Sequence, residues 1–397
     1  KIIEKARQEL GTQDSRLKTQ DLKEKCAEVA ERYLKSYHEA MDRLGLGRPD
    51  LEPKATEHVV PAMTDFIAKL LISGVAYEAG GDVYCAVRKC EGYGTLSGRS
   101  LDALPRQPSG GEHPGPPGEP QAEAGKHDPL DFALWKAAKS GEPSWQSPWG
   151  AGRPGWHIEC STMSTKYLGE AFDLHGGGVD LVFPHHENEI AQAHAVGKPF
   201  ARFWIHNGLL TVNDEKMSKS LGNFITIQDA LKQCRDQPDA LKEFFLNAHY
   251  RSPLDYSDRS IRMSLERLNG LLTLIGHAEE LERKGLASRE AMSSMPPPKE
   301  LSDLEERFEN AMDDDLNTPE ALAVLDEIVH QAWGTLRQTN PWEPPQPIQY
   351  KRPAETFNKV LYADQMLRRL GKVLGLFERH EALVPTPEQQ AKIDERE

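Results

Sequence analysis

The stretch Glu215–Asn223, Glu-Lys-Met-Ser-Lys-Ser-Leu-Gly-Asn, gathers two ammonium groups (Lys216 and Lys219) and two hydroxyls (Ser218 and Ser220) in one short run. Such donors suit a polyphosphate, and Gly222 lets the backbone bend where a Cβ would obstruct it. The plain alternative is a solvated basic turn. Upstream, Cys160, His185 and Glu189 offer a thiolate, an imidazole and a carboxylate, a donor set that suits zinc. Pro184 predicts the first turn of a helix, so His185 and Glu189, four residues apart, project from one face. The same spacing also suits a structural His–Glu hydrogen bond. Cys160, and the lysine run that follows, turn the reading toward a metal. Trp156 precedes Cys160 by one helical turn and either walls the same pocket or fills a core. The run His175-Gly-Gly-Gly-Val-Asp180 reads as the exit from a strand. There Gly176, Gly177 and Gly178 admit a nucleotide to the main chain and Asp180 meets a ribose, or the run is a bare turn.

These groups need elements to hold them. Apolar residues recur at helical spacing from Asp21 to Leu44, and 58–73 reads as a second helix. Val75–Tyr77 and Val83–Val87 flank Gly80-Gly81, a hairpin signal. Pro105–Pro129 is rich in Pro, Gly and Glu and reads as a mobile loop, with order resuming at Leu130. From 151 to 212 helix and strand alternate: a helix over 158–168, a strand at 172–175, a helix over 184–195 and a strand at 209–212. That alternation predicts a parallel sheet, with its ligand crevice at the carboxyl ends of the strands. Helices dominate after Thr226. Thr318 and Pro319 read as the cap and first residue of one helix, and stretches 301–311, 319–336 and 354–376 predict a bundle. The segment 384–397 is polar and reads as frayed.

Composition narrows the class further. A chain of 397 residues accommodates two or three domains. No apolar run reaches the roughly 18 to 20 residues that span a bilayer, so no membrane role is expected. A net charge of −14 does not favour RNA, which such a protein grips only through a local basic patch. The five cysteines are odd in number and sparse, which suits a reducing cytoplasm better than a disulfide scaffold. Cys85 and Cys90 read as ordinary hairpin residues.

The Lys-Met-Ser-Lys-Ser run resembles the nucleotide loop of class I aminoacyl-tRNA synthetases. Taken with Gly155–Cys160, His175–Asp180 and Phe183–Glu189, the chain resembles the bacterial-type cysteinyl-tRNA synthetases over nearly all its length. Further matching segments are Leu134–Lys136, Gly152–Gly155, Phe203–Trp204 with His206–Gly208, His249–Ser252 and Met312–Pro319. The resemblance implies an α/β fold: a Rossmann-like parallel-sheet catalytic domain, N-terminally incomplete, with an inserted connective subdomain, then an all-α helical bundle. The implied divisions are 1–73 and 151–212 for the catalytic halves, 74–150 for the insert, 213–262 for the lysine loop and stem-contact region, and 263–397 for the anticodon-side bundle.

It also implies a two-step reaction. Cysteine is activated by ATP to cysteinyl-adenylate, with Mg2+ accompanying the nucleotide, and then passes to the 3′ end of tRNA(Cys). Lys216 and Lys219 are the implied catalytic groups. ATP is expected on these lysines with Ser218, Ser220, Gly176, Gly177, Gly178 and Asp180, and the adenine near His206–Gly208. One Zn2+ per chain on Cys160, His185 and Glu189 selects the thiol of L-cysteine, with Trp156 beside it. Arg251 and the basic residues near Lys232 are candidates for the tRNA acceptor arm, and a cytoplasmic monomer is expected.

The family's Cys-Gly-Pro-Thr and His-Ile-Gly-His-like stretches, and with them a fourth zinc ligand, do not occur here. The chain is therefore read as an internal fragment, inactive alone. A lysine-bearing stretch that some members use with pyridoxal phosphate has Glu4 in place of a lysine. The competing readings are a cysteine ligase of the mycothiol pathway and a non-catalytic zinc- or RNA-binding module.

Overall fold

The computed structural model describes residues 2–10, 19–102, 125–139, 142–218, 221–293, 296–336 and 354–377. Most of the loop expected over 105–129, and the segment 384–397, lie outside the described residues. Contacts divide the chain into two units, 1–38 with 48–207 and 39–47 with 208–397.

In the first unit, α1 (Ile2–Glu9) packs Ala6 against Leu22 and Val29 of the amphipathic helix α2 (Thr19–Leu44). The helix expected from residue 58 becomes regular only at α3 (Thr64–Ile72). Val60 is extended there (φ −126°, ψ 128°), so Val59–Met63 forms a wide turn instead. Four antiparallel strands follow in the order β1 (Ala76–Ala79), β2 (Asp82–Cys85), β3 (Phe132–Ala137) and β4 (Gly152–Pro154). The β1–β2 turn uses Gly80 and Gly81 at φ 64° and 90°, where glycine bears no Cβ penalty. This sheet and α3 enclose Met63, Ile67, Leu70, Val83, Trp135 and Ile158.

The chain then forms α4 (Trp156–Tyr167), β5 (Ala171–Gly178), α5 (Glu187–Ala195) and β6 (Phe200–Asn207), with β5 and β6 parallel. Two expectations change here. Gly176–Gly178 do not follow the strand; they are its last residues, paired with Ile205, His206 and Asn207. The helix bearing the expected ligands starts at Glu187 rather than Pro184, because Phe183 is extended (φ −137°, ψ 131°) and Val182–His186 make a wide turn.

In the second unit, β7 (Leu210–Val212) pairs with β8 (Glu215–Lys216) antiparallel and with β9 (Leu254–Tyr256) parallel. Between β8 and β9 lie α6 (Ile227–Gln233) and α7 (Pro238–Leu246). The bundle consists of α8 (Asp258–Arg283), the short α9 (Arg289–Ser293), α10 (Lys299–Asp313), α11 (Thr318–Leu336) and α12 (Ala354–Val373). Helix α8 starts with a reciprocal Ser257–Ser260 capping box, and Leu268, Leu271, Leu274 and Ile275 on it are buried against the other helices. The cap of α11 is Asn317, not Thr318. Asn317 Oδ1 accepts the amide of Glu320 at 3.3 Å, while the Thr318 hydroxyl donates to the Leu246 carbonyl at 2.8 Å.

Candidate active site

Helix α4 begins where Gly155 passes over β3. Its amide donates to Leu134 O at 2.9 Å, and a Cβ on it would lie 1.9 Å from the Ala133 carbonyl oxygen. Only glycine permits that approach. The first turn therefore brings Trp156 and Cys160 to the start of α5. A sulfur, an imidazole nitrogen and a carboxylate oxygen of Cys160, His185 and Glu189 lie within 4.8 Å of one another. Trp156, 44% exposed, stacks on His185 with ring centroids 4.2 Å apart.

Glu189 is fully buried, and neither of its oxygens makes a hydrogen bond among the described residues. Nε2 of His185 is 2.8 Å from Oε1 and Nε2 of His175 is 3.1 Å from Oε2, but these close approaches lack hydrogen-bond alignment. A buried carboxylate without well-aligned donors is costly, and a cation between these groups would remove the cost. The residues therefore fit a zinc ion, with one thiol among three ligands.

Histidines surround this point. His157 Nδ1 lies 2.8 Å from His185 Nδ1, which leaves His185 Nε2 directed at Glu189. Burial, reinforced by His185, pushes His157 down to about 3, so it is a neutral partner that can fix the His185 tautomer. His186 is likewise depressed to about 3, by burial first and then by His175 and His206. Burial pushes the Cys160 thiol upward, with Glu189 and Glu159 adding to it. A bound cation reverses that shift, since a coordinating thiol is deprotonated. Burial also raises Glu159, to about 7.

The lysine run lies in the second unit. Lys216 is exposed in β8, paired with Thr211. Asn223 ties the loop: its Oδ1 accepts the Ser218 amide at 2.8 Å and its Nδ2 donates to the Lys216 carbonyl at 3.1 Å. Ser218 Oγ accepts the Leu221 amide at 3.2 Å, and Gly222 has φ 70° with open space about it. Its role is conformational rather than steric. Lys219 and Ser220 lie outside the described residues. Asp180 sits in a single turn after β5, its Oδ1 against Gly178, where a Cβ would be 2.4 Å away. Arg251 is engaged by Asp315, and Lys232 lies 3.6 Å from Asp229.

Residues 1–266 match the family described as tRNA synthetases class I (C) catalytic domain, and residues 307–378 match the DALR domain. The cysteine–tRNA ligase of Pelobacter propionicus is 43% identical over 379 residues, covering 93% of this chain and 72% of that protein. The chain belongs to the cysteinyl-tRNA synthetase family. The ligase of Syntrophobacter fumaroxidans is 47% identical over 306 residues, or 76% of this chain, and the match spans 59% of that relative's length. Methionyl-tRNA synthetase of Mycobacterium tuberculosis, solved with methionyl-adenylate, superposes with TM-score 0.60 at 16% identity, covering 88% of this chain and 78% of that one. A putative arginyl-tRNA synthetase from Campylobacter jejuni gives 0.59 at 10%, covering 94% and 73%. These likenesses show the fold: a Rossmann-like class I catalytic region followed by helices.

Within this synthetase chain the sequence reading missed several residues. His157 contacts the expected ligand His185, His186 contacts His206, which was expected only beside the adenine, and Asn223 closes the lysine loop. Glu187 also escaped notice. Its carboxylate, 1% exposed, accepts the amides of Gly94, Leu96 and Ser97 and so fastens that loop to the start of α5. The one available signal was the polarity of His-His-Glu-Asn-Glu (185–189) at the head of a helix otherwise built for a core.

Proposed function

We propose that the chain carries the amino-acid-activating machinery of a cysteine–tRNA ligase and that a zinc ion on Cys160, His185 and Glu189 selects the thiol of cysteine. The observation that carries this is the convergence of those donors on a wholly buried carboxylate with both oxygens unsatisfied. A zinc ion held there supplies a borderline-soft Lewis acid that prefers a thiol to serine's hydroxyl. An apolar pocket separates groups of such similar size only weakly.

The chain's own residues do the rest. His157 holds the ligand tautomer of His185, and Trp156 covers one side of that ring. The cysteine carboxylate attacks the α-phosphorus of ATP, and the bond to the bridging oxygen breaks as pyrophosphate leaves, Mg2+ accompanying the nucleotide. Lys216 and Lys219, with Ser218 and Ser220, neutralise the charge gathering on that leaving group. Gly176–Gly178 and Asp180 serve the nucleotide, and a terminal ribose hydroxyl at the 3′ end of tRNA(Cys) takes the cysteinyl group as its bond to phosphate breaks and AMP leaves. A cytoplasmic monomer with an insert over 74–150 and an anticodon-side bundle over 263–397 completes the reading.

Pyrophosphate exchange in the intact protein tests it. Cysteine should support exchange and serine should not, and Lys219→Ala should slow exchange by about 100- to 1,000-fold, the usual loss for one preorganised donor. Equal exchange with serine would refute zinc selection.

A further inference from the structure

Glu189 presents its two oxygens to different donors. Oε1 is 2.8 Å from His185 Nε2, and Oε2 is 3.1 Å from His175 Nε2. A single ion on Cys160, His185 and one oxygen leaves the other oxygen buried without a hydrogen bond. On that other side, a nitrogen of His175, a nitrogen of His186 and an oxygen of Glu189 also lie within 4.8 Å of one another. Two imidazoles and one carboxylate are the protein ligands of open zinc sites, which keep a position for water or substrate. The outer partner such a site needs is also present, because His186 Nδ1 lies 2.8 Å from His206 Nε2. The place of the His186 ring depends on Gly177, where a Cβ would come within 2.9 Å of the ring's Cε1.

We infer that His175, His186 and Glu189 form a second divalent-cation site, joined through the Glu189 carboxylate to the thiolate-bearing centre. It has no sulfur ligand. Its ion therefore accepts oxygen and nitrogen donors, such as water or a carboxylate, where the first centre favours a thiol. The inference rests on the proposed zinc centre only through the shared carboxylate, and the two sites are read separately below.

Cobalt(II) titration of the metal-free protein, with bound metal counted after equilibrium dialysis, tests it. An ion on Cys160 shows a thiolate-to-cobalt charge-transfer band, and one on two histidines and a carboxylate does not. The wild type should take up about two equivalents. Only one of them should carry the band. Cys160→Ser should lose the banded equivalent and keep the other, and His175→Ala with His186→Ala should do the reverse. Saturation of the wild type at one banded equivalent, a count that needs no variant, overturns the second site. So does a band-free equivalent that survives the double histidine substitution. A band-free equivalent lost with those histidines, in a wild type that shows no banded one, would uphold the second site while refuting the first.

Discussion

Glu187→Gln changes one oxygen to an NH2 group and should loosen the whole head of α5. Oε1 accepts the amides of Gly94 at 2.8 Å and Leu96 at 3.4 Å, and Oε2 accepts that of Ser97 at 2.9 Å. Glutamine keeps one acceptor. Its better orientation holds Gly94 and Leu96 and turns the NH2 toward the Ser97 amide, donor against donor. A buried amide left without a partner costs about 1–3 kcal/mol, and the two retained bonds lose their charge assistance at roughly 0.5–1 kcal/mol each. Relief from burying a charge offsets part of this, leaving a net loss of about 2–4 kcal/mol. For a unit of this size that corresponds to a melting temperature lower by roughly 5–15 °C. Hydrogen exchange localises the effect: the amides of Gly94, Leu96 and Ser97 should lose protection first. Unchanged exchange at those amides, with a stability loss under about 0.5 kcal/mol, would refute the clamp.

Three other outcomes are expected. Gly155→Ala drives a Cβ to 1.9 Å from the Ala133 carbonyl and should cost at least about 1–3 kcal/mol, with zinc content falling because α4 carries Cys160; a melt and metal analysis check both. Asn223→Ala removes the bonds to Ser218 and Lys216 and should slow adenylate formation about tenfold in single-turnover assays of the intact protein, the effect of roughly 1.4 kcal/mol in the barrier; an unchanged rate counts against the loop's role. Asp315 is held down to about 2, chiefly by hydrogen bonds from Arg251 and then Tyr250. A depressed folded value means its contribution is complete above the ordinary carboxylate range and is lost as pH falls through about 2. The stability gap between wild type and Asp315→Asn, followed by urea melts, should therefore be flat near neutrality and close below about pH 4.

What the sequence disclosed followed from local physics. The helix over 21–44 was legible because its apolar residues repeat at the period of a helix, and the Gly80-Gly81 turn because positive φ favours glycine. Cys160, His185 and Glu189 were legible as a donor set, and their atoms do converge. The features missed depend on partners distant in the chain. Strands β3 and β4 are defined by pairing with each other and with β2, across a separation that no local pattern announces. Glu187 reaches a loop some ninety positions away, and His186 meets His206 where the parallel β5–β6 register sets His206 beside Gly177, near which the His186 ring lies. The wide turn before α5 escaped because proline is equally at home in a first helical turn and after an extended residue such as Phe183. Residue type alone favours Thr318 as a cap, whereas Asn317, one position earlier, has the oxygen that reaches Glu320.

X-ray absorption at the zinc edge, on protein loaded with one equivalent of zinc, addresses the proposed thiol-selecting centre most directly. The account predicts one sulfur scatterer from Cys160 at about 2.3 Å beside nitrogen and oxygen at about 2.0–2.2 Å, and a second sulfur when cysteine, but not serine, is added. A shell of nitrogen and oxygen alone, unchanged by Cys160→Ser and by added cysteine, would contradict it.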